Sequence, residues 1–117
     1  MNGPLPRVLV VEPHFVLRRT IVLAAARLGV TQIQEAASVA VAQRMQQGHT
    51  YDTIVLALDA GPPAEIERLL TCCEASRVIG IMPAGEQADA LIRLQPSLSH
   101  LLNKPARVKD LLGLLLG

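Results

Sequence analysis

Aromatic side chains are nearly missing from this chain: Phe15 and Tyr51 make up 2% of 117 residues, and tryptophan is absent. Single-stranded nucleic acid held by base stacking and flavins held between rings have little here to stack on. An excess of one charge is also missing. The 11 basic and 10 acidic residues leave a net charge of +1 with no run of either sign, so neither nucleic acid nor an anionic membrane is an expected partner. The one adjacent basic pair, Arg18 and Arg19, reads as a solvated helix face. Cys72 and Cys73 are sequence neighbours, a spacing that suits neither the usual disulfide frameworks nor C-x-x-C ligand pairs and implies a reduced, cytosolic setting. No apolar stretch approaches the roughly 20 residues that cross a bilayer, and the opening MNGPLPR carries no leader-like run. A soluble cytoplasmic protein is expected. Its length corresponds to one domain, residues 1–117, either a stand-alone protein or the leading domain of a longer regulator.

What the chain does have is a centre. In YDTIVLALD, residues 51–59, an apolar run of strand length follows an aromatic and acidic lead-in and breaks at Gly61, Pro62 and Pro63. A run without polar alternation marks a strand covered on both faces, at the middle of a parallel sheet. Around it strands and helices alternate. Residues 7–12 (RVLVVE) form the first strand. Pro13 and His14 then open a helix over 15–28 with Leu17, Ile21, Ala24, Ala25 and Leu28 inward, stopped by Gly29. A polar second strand over 31–35 suits a sheet edge. Ser38 caps a helix over 39–47 with Val41, Ala42 and Met45 inward.

The third strand occupies 53–58, and Pro62 and Pro63 start a helix through Ile66, Leu69 and Leu70 that ends near Glu74. Residues 77–82 are the fourth strand, followed by a fourth helix with Ala88, Leu91 and Ile92 inward. Residues 100–103 are the fifth strand, and a last helix covers 107–116. Five strands alternating with five helices through short connections predict an α/β three-layer sandwich with a parallel sheet in flavodoxin-like order 2-1-3-4-5. Ligands of such sheets bind beyond the carboxyl ends of the strands, at the switch between the first and third. There Glu12, Pro13 and His14 should meet Ala57, Leu58 and Asp59.

On RVLVVEP, YDTIVLALDAGPP, VIGIMPAG and HLLNKP the chain resembles, over essentially its whole length, the CheY-like receiver domain of bacterial response regulators. The resemblance implies two-component signal transduction, with an aspartate at the end of the third strand accepting a phosphoryl group. It also implies two acidic residues after the first strand that hold Mg²⁺, a Ser or Thr after the fourth, and a lysine after the fifth. Aligned on YD, Ala57 stands at the phosphoacceptor position, and a methyl group accepts no phosphoryl group. Glu12 matches the first acidic position, but Pro13 stands at the second and offers no metal ligand. Met82 occupies the hydroxyl position and Leu101 that of an aromatic partner, so the usual relay has neither a starting atom nor an end point. Lys104 alone persists. It is expected to pair with Glu12 or Asp59, as a standing substitute for the phosphorylated state's contacts or as a remnant of ancestry.

The expectation is a degenerate pseudo-receiver that acts without phosphorylation, cofactor, metal or enzymatic activity, through protein contacts with a partner or a fused output domain. Two alternatives stay open: a Mg²⁺-dependent phosphoacceptor site rebuilt on Asp59 or Glu12, and a small-molecule sensor using the vacated pocket. Other chemistry lacks its residues. His14, His49 and His100 have no ligand-spaced neighbours, the phosphate-cradling loop of a flavin site is missing, and no G-x-G-x-x-G is present. The last helix, VKDLLGLLLG, carries more leucines than one buried stripe takes up. Leu101, Leu111, Leu112 and Leu115 are therefore expected in an interaction face formed with the fourth helix and fifth strand, the family's usual output or dimer surface.

Overall fold

The computed structural model describes residues 6–72, 76–83, 94–103 and 107–116. Five strands, β1 (Arg7–Val11), β2 (Gln32–Ala36), β3 (Thr53–Ala57), β4 (Arg77–Met82) and β5 (His100–Asn103), form one parallel sheet in the order β2-β1-β3-β4-β5. Four α-helices lie among the described residues: α1 (Phe15–Arg27), α2 (Val39–Gln46), α3 (Pro63–Cys72) and α4 (Val108–Leu116). The helix expected around Ala88, Leu91 and Ile92 lies outside the described residues, and Gln95–Ser97 form a short 3-10 turn before β5.

The apolar run TIVLA suits the middle strand because it can be covered on both sides. All five residues of β3 are buried. Side chains alternate between two cores, as a period of two requires. Val8, Val10, Val55, Ile79 and Ile81 meet Ile21 and Ala25 of α1 and Leu111 and Leu115 of α4 on one face. Leu9, Val11, Ile54 and Leu56 meet Val39 and Ala42 of α2 and Ile66 and Leu69 of α3 on the other. The edge strand β2 keeps the mixed pattern its polar sequence suggests. Gly80 in β4 serves packing: a Cβ there would lie 2.7 Å from Leu98 Cδ1, so its absence lets the segment before β5 settle on the sheet.

Helix ends follow local chemistry. Ser38 accepts the Val41 amide hydrogen at 3.2 Å and starts α2. α1 ends at Arg27, and Gly29 takes φ 97°, where a Cβ would be strained. Leu28, expected inward, is 50% exposed because it stands in the cap after the helical spacing has ended.

The lead-in Tyr51-Asp52 ties together the amino ends of three strands. The Arg7 amide donates to Asp52 Oδ2 at 2.8 Å, and the Asp52 amide donates to the Arg7 carbonyl at 2.9 Å. The Arg77 amide donates to the Asp52 carbonyl at 2.9 Å, and Ser76 Oγ donates to the Tyr51 carbonyl at 2.7 Å. Tyr51 itself is buried, and its hydroxyl donates to Gln34 Oε1 of β2.

Two of the leucines expected in an interaction face do not lie in one. Leu111 and Leu115 are 2% and 3% exposed and fill the core against α1 and the sheet. Their spacing of one helical turn turns both inward. Leu101 and Leu112 are half-buried, each packed against a core cluster. Leu115→Ala should therefore cost about 2–5 kcal/mol, as large-to-small changes in a core do, and Leu112→Ala distinctly less. Urea unfolding of the two variants reads the difference directly.

Burial raises the pKa of the Tyr51 phenol above 10.0, partly opposed by the Arg7 guanidinium. Because the folded value exceeds the unfolded one, the contribution is fully present below the unfolded value. It is lost as pH rises through the folded one. Tyr51→Phe should cost about 1 kcal/mol at neutral pH, the usual net worth of one hydrogen bond. It should also flatten the alkaline fall in stability above pH 10.0, measured by thermal unfolding across pH.

Candidate functional site at the carboxyl ends of the strands

Three strands deliver the expected residues to one end of the sheet. β1 and β3 pair as far as Val11 with Leu56, so Glu12 and Ala57 each lie one residue beyond that pair on adjacent strands. Ala57 pairs with Ile81, and Met82 follows it at the end of β4. The Leu58 amide donates to the Ile81 carbonyl at 2.9 Å and carries the ladder one step past Ala57. The topology therefore assembles Glu12, Ala57, Asp59 and Met82 at the first and third strand switch and its neighbour.

The floor of this end is closed and largely apolar. Ala57 has no exposed surface, and Met82 is 6% exposed. Leu58 and Ala60 are buried beside them, while Asp59 is half-buried in the turn before α3. Pro13 is exposed. Lys104, the remaining charged residue of the expected constellation, lies outside the described residues.

Glu12 is fully buried, and its surroundings explain how a carboxylate is kept there. Its Oε2 accepts the His14 backbone amide at 3.0 Å and lies 3.0 Å from His14 Nδ1, so the tautomer protonated on Nδ1 also donates to it. The Glu12 amide donates to the Ala36 carbonyl at 3.0 Å, and its own carbonyl accepts from Arg18 Nη1 at 2.9 Å. A buried charge is tolerated only with such compensation. The carboxylate thus faces its own chain. Among the described residues no group of three or more His, Cys, Asp or Glu is placed to hold a metal ion.

The arginine pair differs from the solvated face its sequence suggests. Arg18 Nε donates to Glu35 Oε1 at 3.1 Å, with the Arg18 side chain 14% exposed. Arg19 Nη1 pairs with Glu35 Oε2. One carboxylate from β2 therefore binds two guanidinium groups of α1 and, through Arg18, the Glu12 loop. Residues 18 and 35 are too far apart in the chain for spacing to reveal this. The role of His14 was nearer to hand, since it lies two positions after Glu12 and caps the start of the helix, its carbonyl accepting the Arg18 amide at 2.9 Å.

Two shallow cavities lie away from this end, near the amino ends of the strands. One, of about 250 Å³, is lined by Arg7, Gln32, Gln34 and Tyr51; the other, of about 330 Å³, lies between α2 and α3 against Gln43, Gln46, Leu69 and Cys72. Neither involves the residues of the expected pocket. No helix among the described residues is long and apolar enough to cross a membrane.

With Ala57 enclosed, Ala57→Asp should place a carboxylate in a buried position next to the Glu12 strand end. The variant should lose about 2 kcal/mol or more, the order for burying a polar group without full compensation. Urea unfolding at neutral pH reads that loss.

No family model and no curated protein matches the chain. Solved structures do match it in fold. The response regulator receiver domain (CheY-like) of Methanospirillum hungatei superimposes with a TM-score of 0.79 at 13% identity, over 94% of this chain and 90% of that one. A response regulator of Burkholderia pseudomallei carrying a phosphorylated aspartic acid matches with a TM-score of 0.74 at 21% identity, over 92% of this chain and 65% of that one. A streptococcal member of a family of redox sensors evolved from two-component response regulators matches with a TM-score of 0.75 at 19% identity, over 92% and 48%. At these identities the likeness is one of architecture: the chain has the CheY-like receiver fold.

Proposed function

We propose that the protein is a pseudo-receiver: a signalling module of the cytoplasm that keeps the receiver scaffold, works without phosphorylation, and acts through contacts with a partner protein or a fused output domain. The observation that carries this reading is Ala57, fully buried at the end of the central strand, where the resemblance to receiver domains calls for a nucleophilic carboxylate. Alanine has no lone pair to attack phosphorus. Met82 and Pro13 support the same reading, since neither donates a hydrogen bond to a phosphate nor ligates Mg²⁺ from its side chain.

The rebuilt-site alternative asks Glu12 or Asp59 to take over. Glu12 Oε2 already serves the His14 amide and ring from a fully buried position, which leaves it poorly presented to a phosphodonor. A sensor role for the fold has a precedent in the streptococcal redox sensors, and the partial coverage of that chain and of the Burkholderia regulator shows the fold set within longer proteins. The partial coverage supports a fused output domain for this chain.

Incubation with Mg²⁺ and acetyl phosphate should leave the intact mass unchanged, and Mg²⁺ with beryllofluoride should leave the amide spectrum unchanged. A stoichiometric phosphoryl adduct would establish the phosphoacceptor reading instead.

A further inference from the structure

The amino ends of β1 and β2 hold a charged group that the fold leaves unused. Arg7 and Gln32 are paired in register, and Leu9 and Gln34 follow as the pair two residues on. Partners in a parallel ladder point to one side, and side chains two apart share it, so Arg7, Gln32 and Gln34 stand on the side of the sheet on which Leu9 packs. Tyr51 belongs to that same core cluster and is buried with its hydroxyl against Gln34. These four residues, with Thr31 and Ile33, line the cavity of about 250 Å³ at the edge of the sheet. It lies at the opposite end of the strands from Glu12, Ala57 and Met82.

Hydrogen-bond donors and one positive charge converge there. The half-buried Arg7 makes no ion pair through its guanidinium among the described residues, whereas Glu35 engages both Arg18 and Arg19. Burial raises the Tyr51 pKa and the Arg7 guanidinium opposes the rise, so the field of that guanidinium falls on the phenol. The phenol donates to Gln34 Oε1, and the carboxamide of Gln34 therefore presents its two N–H donors away from Tyr51. Gln32 adds a second carboxamide and Thr31 a hydroxyl. Two neighbouring carboxylates are committed elsewhere. Asp52 Oδ2 accepts the Arg7 backbone amide at 2.8 Å, and Glu35, one residue on from Gln34, points to the other side of β2 toward α1.

A guanidinium fork beside amide donors complements a planar anion. One guanidinium balances one charge, and the nearby Asp52 repels a second, so a carboxylate fits better than a phosphate dianion. Ile33 and the ring of Tyr51 supply apolar contact. The volume is below the roughly 300–1,000 Å³ of sites for drug-sized ligands, which limits the occupant to a small organic acid.

We propose that this cavity binds a small aliphatic carboxylate, its carboxylate paired with the Arg7 guanidinium and accepting from Gln34 Nε2, its apolar end on Ile33 and Tyr51. The ligand ties β1, the edge strand β2 and the lead-in to β3 together and stabilises the folded state by mass action. This assignment goes beyond the contact-module reading and holds whether or not the protein accepts a phosphoryl group.

The probe is 3-methylbutanoate, compared at constant ionic strength with its neutral isostere 3-methylbutanamide and with inorganic phosphate. The acid should bind with a Kd of about 1 mM, the order for one charge-assisted contact and a few apolar atoms. Amide shifts should concentrate in residues 7, 31–34 and 51. The neutral amide should bind about ten-fold more weakly, since it lacks the charge that the guanidinium pairs with. Arg7→Gln should weaken binding of the acid about ten-fold, and Arg7→Lys, which keeps the charge and loses the fork, should weaken it less. Gln34→Glu, at an exposed position, should abolish binding by setting a carboxylate beside Arg7 while still accepting the Tyr51 hydroxyl hydrogen; it tests the site even where Arg7→Gln fails to fold. Absence of shifts, shifts in other elements, equal binding of acid and neutral amide, or insensitivity to these variants would overturn the proposal. Phosphate binding more tightly than the acid with the same shifts would overturn the carboxylate assignment and make this a phosphate site.

Discussion

Burial of the central strand on both faces is the constraint from which the rest of the molecule follows. TIVLA has apolar side chains on either side of its pleat, so each side must be roofed. α1 and α4 roof one side, and α2 and α3 roof the other. Parallel pairing to β1 and β4 satisfies the backbone of β3 and carries its carboxyl end to the middle of one edge of the domain. Whatever stands at residue 57 is then enclosed, and here it is a methyl group.

That enclosure changes the meaning of the residues around it. In a phosphate-accepting site, buried carboxylates would be held ready for a cation and a phosphoryl group. Glu12 instead accepts hydrogen bonds from its own chain at His14, while its backbone carbonyl holds Arg18. Arg18 in turn shares Glu35 with Arg19. The network fastens the β1 loop, the start of α1 and the edge strand β2 to one another. Its net contribution is that of compensated charges, modest in free energy but sensitive to loss of any one partner.

Polar chemistry has thus turned inward at the sheet's carboxyl end, while apolar surface has turned outward on α1. The enclosed residue 57 and the inward-turned network fit the proposed contact module, whose output would lie in the faces it offers to a partner.

The parallel sheet, its strand order and the burial of residues 53–57 were legible in the sequence because period and run length are local properties that burial enforces. The place of Ala57 at the end of the central strand was legible for a similar reason, since YD and the strand that follows set it. The direction of the last helix's leucines was not: an apolar excess does not say which members face inward, and packing against α1 sent Leu111 and Leu115 to the core. Nor could spacing show that Arg18 and Arg19 share Glu35, or that Val16 and Leu23 face outward. By itself the sequence determined the periodicity, and through it the layers and the residue at each strand end. Only tertiary structure decided which charges pair across the chain and which apolar side of α1 is left uncovered, because both depend on contacts between segments that no local pattern encodes.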